Sequence, residues 1–127
     1  MKTFEDIVNG EAHCHRVWED AHHLAFLSTQ PIARGHTIVV TKRVVPYLFD
    51  LDEREHAALW SATRTVARML KHKLACERVC TAVIGWEVRH VHVHLVPTAR
   101  AGEFPPLPGR AASESELHEV LAELADR

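Results

Sequence analysis

Histidines alternate with apolar residues in the segment that precedes Pro97. The alternating residues are His90, Val91, His92, Val93, His94 and Leu95. In an extended strand, side chains two positions apart lie on the same face, so the pattern predicts a strand over residues 88–96. One face carries apolar side chains for a core, and the other carries three imidazoles. We expect Pro97 to end the strand, because proline cannot donate a hydrogen bond to a neighbouring strand.

Apolar residues recur at helical spacing in a second segment, over residues 53–75. The stripe consists of Leu59, Thr63, Val66, Leu70 and Leu74, and Trp60 and Met69 widen it. Asp52 and Glu55 have the spacing of a capping box, in which each side chain accepts a hydrogen bond from a backbone N–H near the start of the helix. The sequence therefore predicts one long helix.

Shorter patterns predict the remaining elements of the domain. Thr3 and Asp6 are spaced as a helix N-cap pair, and this first helix is expected to end at Asn9-Gly10. Short runs rich in β-branched or other apolar residues predict further strands. These runs are residues 17–18, 24–27, 36–41 and 79–84. Together the elements predict an α+β fold with a mostly antiparallel sheet, one long helix and short terminal helices.

The C-terminal segment differs in composition from residues 1–100, which we predict to form one domain. Residues 102–109 contain three prolines, and Ser113 and Glu116 then have capping-box spacing. The helix predicted after them carries an apolar stripe of Leu117, Val120, Leu121 and Leu124. We expect residues 101–127 to form a proline-rich arm and a helix that packs on the domain or on its dimer partner.

Composition and charge restrict the class of protein. Of the 127 residues, 46% are hydrophobic and 25% are charged, which is typical of a soluble globular domain. A net charge of −2 argues against a broad nucleic-acid-binding surface, and no segment approaches the ~20 apolar residues of a membrane span. We expect a cytoplasmic protein with no nucleic-acid or membrane partner. Three cysteines without a Cys-x-x-Cys motif do not favour a disulfide framework.

The three histidines at period two admit three interpretations. The first is a solvated polar face, which would be the usual explanation for a single histidine. The second is a metal site, but same-face neighbours lie about 6.6 Å apart. The outer pair is then roughly 13 Å apart, too far for both nitrogens to lie about 2.0–2.1 Å from one ion. The third is catalytic, with a middle nucleophile whose neighbours set its tautomer and stabilise charge, and we favour it.

The same segment resembles the signature of the histidine triad (HIT) superfamily, His-φ-His-φ-His-φ-φ with φ apolar. The resemblance extends over about residues 4–97, because four further blocks stand in the order and approximate spacing of that family. The blocks are residues 17–20, 24–27, 35–40 and 48–51. The resemblance implies a HIT-like fold with a five-stranded sheet, a homodimer whose two sheets join edge to edge, and a small-molecule nucleotide as ligand.

The chemistry that this resemblance implies is a nucleotide hydrolase or transferase reaction at the α-phosphate. The substrates would be nucleoside phosphoramidates or dinucleoside polyphosphates, and a nucleotidyl-histidine would form as the intermediate. His92 would be the nucleophile, His94 would neutralise phosphate oxygens, and His90 or a carbonyl would hold the distal nitrogen of His92. His36 would support them from an adjacent strand. No cofactor or metal is implied, and the zinc-binding Cys pair of some members has no counterpart near residues 2–5.

The resemblance also assigns five residues to substrate binding. These are Phe26, Ser28, Gly85, Trp86 and Glu87. For the strand that carries Phe26, a nucleoside cradle and a simple core position are equally good interpretations. Ser28 stands where the family often has Asp or Asn, and Trp86 and Glu87 stand where it often has Gln and a hydroxyl residue. These departures leave the substrate open.

Two functional classes stay open at this point. The alternative to an enzyme is a nucleotide-binding or protein-interaction module that keeps the HIT fold with little turnover. The presence of the middle histidine favours the enzyme. Phe104, which precedes two prolines, corresponds to an aromatic residue that reaches the partner's active site in one branch of the family. The other interpretation is that Phe104 packs on its own domain.

Overall fold

A five-stranded antiparallel sheet forms the centre of the protein in the computed structural model, which describes residues 3–104 and 109–125. The strands are β1 (Arg16–Glu19), β2 (His23–Leu27), β3 (Thr37–Thr41), β4 (Arg78–Ala82) and β5 (His92–Thr98). Their order in the sheet is β1-β2-β3-β5-β4. The helices are α1 (Phe4–Val8), α2 (Glu53–Leu74) and α3 (Glu114–Ala125), with a short 3-10 turn at Leu48–Asp50. The predicted α+β fold with its antiparallel sheet is confirmed.

The long helix α2 begins at the predicted capping box. The Glu55 backbone N–H donates to Asp52 Oδ1 at 2.7 Å, and the Asp52 N–H donates to the Glu55 side chain. The buried stripe of the helix packs on the sheet, and its members are Leu59, Ala62, Thr63, Val66 and Leu70. Near its end, Leu74 lies so close to Gly35 that a Cβ at that position would collide with it. Gly35 therefore allows the loop before β3 to pass beside α2.

The two faces of the sheet pack against different helices. The face toward α2 forms the main core, which includes Ala25, Val39, Val93 and Leu95, all fully buried. The opposite face forms a smaller core of Leu24, Phe26, Ile38 and Val40, against which Phe4, Ile7 and Val8 of α1 pack. Alternation along each strand produces this division. The face covered by the short helix α1 is the one that carries the histidines.

Strand β5 does not have the predicted bounds. It runs from His92 to Thr98, so the prediction that it begins at residue 88 and that Pro97 ends it is wrong. At the far end, the pairing with β3 stops at Leu95, and Pro97 lies opposite Val79 of β4 alone. A missing N–H therefore costs Pro97 no bond to β3. At the near end, the Val91 N–H donates to the carbonyl of Val45 at 2.8 Å, which is outside the sheet.

Helix α3 is exposed along its whole length in the single chain. It is capped as predicted, because the Glu116 N–H donates to Ser113 Oγ at 3.1 Å. None of its residues is buried, and Leu117, Val120, Leu121 and Leu124 are 51–75% exposed. The single chain thus does not cover this stripe with its own domain. Packing on a dimer partner stays a prediction.

The arm before α3 contacts the outer strand of the sheet. Phe104 is partly buried and lines a small cleft with Arg78, Cys80 and Thr98, so in the single chain it packs on its own domain. Pro105 and Pro106, the two prolines after Phe104 on which the comparison with one branch of the family depends, lie outside the described residues. The three cysteines are free thiols. Among residues 3–104 and 109–125, no helix combines the length and apolarity needed to cross a bilayer.

Candidate active site

A cleft of about 450 Å³ opens on the histidine-bearing face of the sheet. Its volume lies within the ~300–1,000 Å³ of small-molecule sites. Helix α1, strands β3 and β5 and the loop that connects β4 to β5 contribute to its lining. The lining residues are Phe4, Ile38, Ile84, Gly85, Trp86, Glu87, Val88, His92 and His94. The structure therefore brings together two of the candidate catalytic histidines and three of the candidate substrate-binding residues.

Strand register determines why His92 and His94 face the cleft. His94 lies opposite Ile38 and His92 opposite Val40, and directly opposed residues of an antiparallel pair share a face. Val93, between them, is fully buried against α2. Rotating the strand to hide the imidazoles would move this core residue into the cleft. The hydrophobic core thus holds both histidines in place.

His92 is held in one tautomer by the backbone. Its Nδ1 lies 2.7 Å from the carbonyl oxygen of His90, and because a carbonyl can only accept, Nδ1 carries the proton. This assignment follows from the hydrogen-bond network, and it leaves Nε2 unprotonated. Burial lowers the pKa of His92, and the nearby His90 imidazole adds to the effect, although the bond to the His90 carbonyl opposes it. The ring is therefore neutral near pH 7 and has a free nitrogen lone pair.

A chain of three groups sets the tautomer of His94. The Ile32 backbone N–H donates to His36 Nδ1 at 3.0 Å, so His36 carries its proton on Nε2. That Nε2–H donates to His94 Nδ1, also at 3.0 Å. With Nδ1 occupied as an acceptor, His94 must carry its own proton on Nε2. His94 therefore presents a donor at the ring position where His92 presents an acceptor.

Burial and electrostatic repulsion keep His92 and His94 uncharged in the free protein. Burial, followed by the nearby imidazoles of His92 and His36, lowers the pKa of His94 to about 4. Burial also lowers the pKa of His36. The centres of the His92 and His94 rings are 5.0 Å apart, so a charge on one ring disfavours a charge on the other.

His90 supports the site without lining the cleft. It precedes β5, it is 4% exposed, and its Nε2 donates to the backbone carbonyl of Thr41. Its contribution to the site is its own carbonyl oxygen, which binds His92. The alternation of the sequence thus placed His90 on the correct face, but tertiary contacts direct its ring to the end of β3.

Phe26 and Ser28 lie outside the lining of the cleft. Phe26 is 4% exposed and meets the ring of Phe4 edge to face, with centroids 5.5 Å apart. Ser28 Oγ accepts from the Gln30 N–H at 3.2 Å, and the Ser28 N–H donates to the His36 carbonyl at 2.9 Å. Within the described residues, Phe26 is a core residue, and Ser28 shapes the turn that positions His36.

Phe4 is a cleft residue that the sequence did not indicate. Its ring meets His92 edge to face, with centroids 4.9 Å apart. In the sequence, Phe4 is one member of a short apolar stripe. No local pattern shows which face of the sheet a five-residue helix covers, so this contact could not be predicted.

The loop between β4 and β5 forms the outer wall of the cleft. Gly85 has φ of +79°, a left-handed conformation that favours glycine, and the chain turns there toward the histidines. Trp86 is 83% exposed, and Glu87 and Arg89 are also exposed. An exposed indole and an exposed carboxylate therefore lie at the entrance. Within residues 3–104 and 109–125, no group of three or more His, Cys, Asp or Glu side chains is arranged to hold a metal ion.

Comparison with known sequences identifies relatives over most of the chain. An uncharacterised HIT-like protein of Methanocaldococcus jannaschii is 32% identical, and the match covers 98% of each chain. The nitrilase and fragile histidine triad fusion protein of Caenorhabditis elegans is 33% identical over 85% of this chain, which spans 24% of that longer protein. A bis(5′-nucleosyl)-tetraphosphatase of Schizosaccharomyces pombe is 32% identical over 61% of this chain and 45% of its own length.

Solved structures and a family model agree with these matches. A Streptococcus mutans protein, SMU.412c, superposes with a TM-score of 0.83 at 29% identity, covering 94% of this chain and 80% of its own. A zinc-bound histidine triad family protein of Mycobacterium smegmatis superposes with a TM-score of 0.73 at 29% identity, covering 95% and 93%. The family model described as the HIT domain matches residues 9–101. Since that match covers most of the sequence, the chain belongs to the HIT family.

Proposed function

We propose that this protein is a nucleotide hydrolase or transferase that acts at the α-phosphate and forms a nucleotidyl-histidine intermediate on His92. One observation carries the proposal. The Nδ1–H of His92 is held by the His90 carbonyl at 2.7 Å, which leaves Nε2 unprotonated on a ring that lines the cleft. An imidazole arranged in this way is a nucleophile at neutral pH. Relatives that include dinucleoside polyphosphate hydrolases support the same class.

In the first step, His92 Nε2 attacks the α-phosphorus, and the bond from phosphorus to the leaving group breaks. The positive charge that develops on the His92 ring is stabilised by the bond from Nδ1–H to the His90 carbonyl. Water then attacks the same phosphorus and loses one proton to solvent, the phosphorus–nitrogen bond breaks with its electron pair returning to Nε2, and a nucleoside monophosphate leaves. His92 returns to its neutral form with the proton still on Nδ1.

His94 is proposed to interact with the phosphoryl and leaving-group oxygens. Its Nε2–H is available because His36 occupies its Nδ1. Because His94 Nδ1 accepts from His36, the ring stays neutral and donates its Nε2–H as a hydrogen bond to an oxygen of the phosphoryl or leaving group as negative charge develops there. The departing group takes its proton from solvent at the mouth of the cleft. His36 then acts as a positioning residue, since it touches His94 and not the substrate.

The entrance of the cleft favours a compact leaving group over a long polyphosphate. Glu87 adds negative charge where further phosphates would lie, and Trp86 offers an apolar surface at the same place. Arg89, two positions after Glu87, is the positively charged residue nearest to it in the sequence. We therefore favour nucleoside phosphoramidates within the two substrate classes.

A homodimer is part of the proposal. Strand β4 is the outer strand of the sheet at the end beside β5, and its free edge has no partner among the described residues. Pairing of two β4 edges would extend the sheet across the dimer, which the family resemblance also implies. Size measurement in solution tests this part separately from the chemistry.

Mass spectrometry of acid-quenched protein tests the central claim. After mixing with an adenosine phosphoramidate, we expect a fraction of the protein to gain the mass of one adenylyl group, located on the peptide that contains His92. The matched control is His22→Ala, which replaces an exposed histidine outside the cleft and should leave the adduct unchanged. Tight nucleotide binding without adduct or turnover, in both substrate classes, would instead identify a nucleotide-binding module.

A further inference from the structure

A second cleft lies on the side of the sheet that faces α2, away from the histidines. Its volume is about 480 Å³. The apolar part of its lining is formed by Val17, Leu27, Met69, Leu70 and Leu74, and Gly35, Arg34 and Lys73 complete it. We call it the α2 groove. Its floor is apolar, and the two side chains with charge are both cationic and exposed.

Helix α3 has the complementary character. Its apolar stripe is exposed, and every charged residue of the helix is acidic, namely Glu114, Glu116, Glu119 and Glu123. An isolated helix of 12 residues is marginal in water, and most helices are stabilised by burying an apolar face. Since α3 buries none of its residues in the single chain, a surface outside its present contacts must stabilise it.

The geometry of the helix matches the groove. At 100° per residue, the stripe from Leu117 to Leu124 forms one face about 10 Å long. Glu116 and Glu123, seven residues apart, lie together on one flank of that face. With the leucines in the apolar floor, this flank can approach Arg34 and Lys73 at the rim. Opposite charges beside an apolar contact set the orientation of a docked helix.

We propose that α3 of one copy of this chain docks in the α2 groove of a second copy. The chain's own groove is open to α3, yet the single-chain structure leaves the helix exposed. Residues 99–113 connect β5 to α3 and can span up to about 50 Å when extended, which is enough to reach a neighbouring molecule. Reciprocal docking of two helices in two grooves gives a closed dimer with twofold symmetry. The inference does not depend on the proposed reaction.

Disulfide trapping between two differently tagged chains tests the proposal. Both chains carry Ala in place of Cys14, Cys76 and Cys80. One then carries Leu121→Cys and the other Leu27→Cys, which places one thiol on α3 and one in the groove. On mild oxidation of the mixture, we expect a disulfide between the two tags. The matched control replaces Leu27→Cys by Ser61→Cys, an exposed position of α2 outside the groove, and should give at least fivefold less product.

Charge reversal gives a second readout in the same mixture. Arg34→Glu with Lys73→Glu in the groove-bearing chain should lower the yield of the mixed disulfide at least fivefold. Glu116→Lys with Glu123→Lys in the other chain should restore it. The double reversal Arg54→Glu with Arg64→Glu, outside the groove, is the matched control and should leave the yield unchanged.

The proposal fails if the mixed disulfide does not form, or forms equally with Ser61→Cys. It also fails if a chain with both cysteines closes an internal disulfide while the mixture gives none, since α3 would then dock on its own domain. If the cysteine-free chains do not fold, sedimentation of the natural sequence decides the question. Deleting residues 111–127 should weaken self-association at least tenfold, and an unchanged association constant would overturn the inference.

Discussion

His36 Nε2 lies 3.0 Å from His94 Nδ1, although the two residues are 58 positions apart in the chain. The pairing of β3 with β5 produces this contact, because it sets His94 opposite Ile38, two residues after His36. The Ile32 N–H fixes the orientation of His36 from the other side. A backbone donor thus determines, through one imidazole, which nitrogen of a second imidazole carries the proton in the cleft.

Replacing His36 should therefore impair turnover more than binding. In His36→Ala, His94 loses the donor to Nδ1 and can adopt the other tautomer, in which no N–H faces the substrate. We expect kcat to fall about 10²-fold, the lower range for loss of one hydrogen-bond donor to the transition state, with KM changed less than threefold. His36→Gln keeps an amide donor and should recover part of the loss. Equal kcat for the two variants would contradict the positioning role.

Replacing His92 should abolish turnover. His92→Ala removes the proposed nucleophile, so we expect kcat/KM to fall by at least about 10³-fold, with no nucleotidyl adduct in acid-quenched samples. The circular dichroism spectrum should match that of the natural protein, because Val93 and Leu95 hold β5 in the core. Near-normal turnover in this variant, with loss in His94→Ala, would show that the roles are exchanged.

The sequence predicts the elements of this fold well where one residue type repeats at a fixed period. The alternation around His92 and the stripe around Val66 each require only local geometry, and both elements are present. The N-cap pair of α1 and the capping box of α2 are also confirmed, and the α1 pair forms a full capping box. What could not be predicted depends on contacts between distant segments. The Val91 N–H bonds to the Val45 carbonyl and not to the sheet, so β5 begins only at His92. At the other end, β3 pairs with β5 only as far as Leu95, so Pro97 can lie within the strand.

The candidate site also combines features that local spacing predicts with features that depend on distant contacts. The spacing of the histidines was sufficient to place His92 and His94 on one face. It could not show that the ring of His90 turns to the Thr41 carbonyl, since that partner lies 49 residues away. Phe4 enters the cleft because α1 folds over the smaller core, and a sequence pattern contains no information on that choice. Local spacing therefore predicts the candidate catalytic histidines, whereas contacts between distant segments determine which other residues line the cleft.

Folding stability should decrease as the pH falls below neutrality. The pKa values of His36, His92 and His94 are lowered in the folded state, so below an ordinary value near 6.5 the unfolded chain binds more protons. Their contribution is complete above pH 6.5 and is lost as the pH falls toward 4. Carboxylates whose pKa is lowered in the folded state, such as Glu55 at about 2, affect folding stability at lower pH. Urea midpoints at pH 7.5, 5.5 and 4.5 measure the effect.

The variant His94→Gln identifies the source of this dependence. Gln does not titrate, so the variant should lose less stability than the natural protein between pH 7.5 and 4.5. His13→Gln, at an exposed position, is the matched control and should behave as the natural protein does. An identical pH dependence in all three proteins would show that the pKa of His94 is not lowered in the folded state.

Activity should persist after exhaustive chelation. The ring nitrogens of His36 are both engaged in hydrogen bonds, and His92 Nδ1 is bound to the His90 carbonyl. These atoms would have to give up their partners before several histidines could bind one ion. We expect unchanged kcat/KM after treatment with EDTA and gel filtration. Stoichiometric zinc in the purified protein, with activity lost on its removal and regained on its return, would overturn this prediction.

Glu87 should discriminate against long polyphosphates. The natural protein is expected to have a higher kcat/KM for an adenosine phosphoramidate than for a dinucleoside tetraphosphate, because the exposed carboxylate repels the additional phosphates at the entrance of the cleft. Solvent screens an exposed charge, so Glu87→Gln should lower the ratio of kcat/KM for the phosphoramidate to that for the tetraphosphate only several-fold. Added salt should lower the same ratio. Glu53→Gln, an exposed position of α2 outside the cleft, should leave the ratio unchanged. A clear preference of the natural protein for the tetraphosphate, insensitive to Glu87→Gln, would show that this carboxylate does not select the substrate.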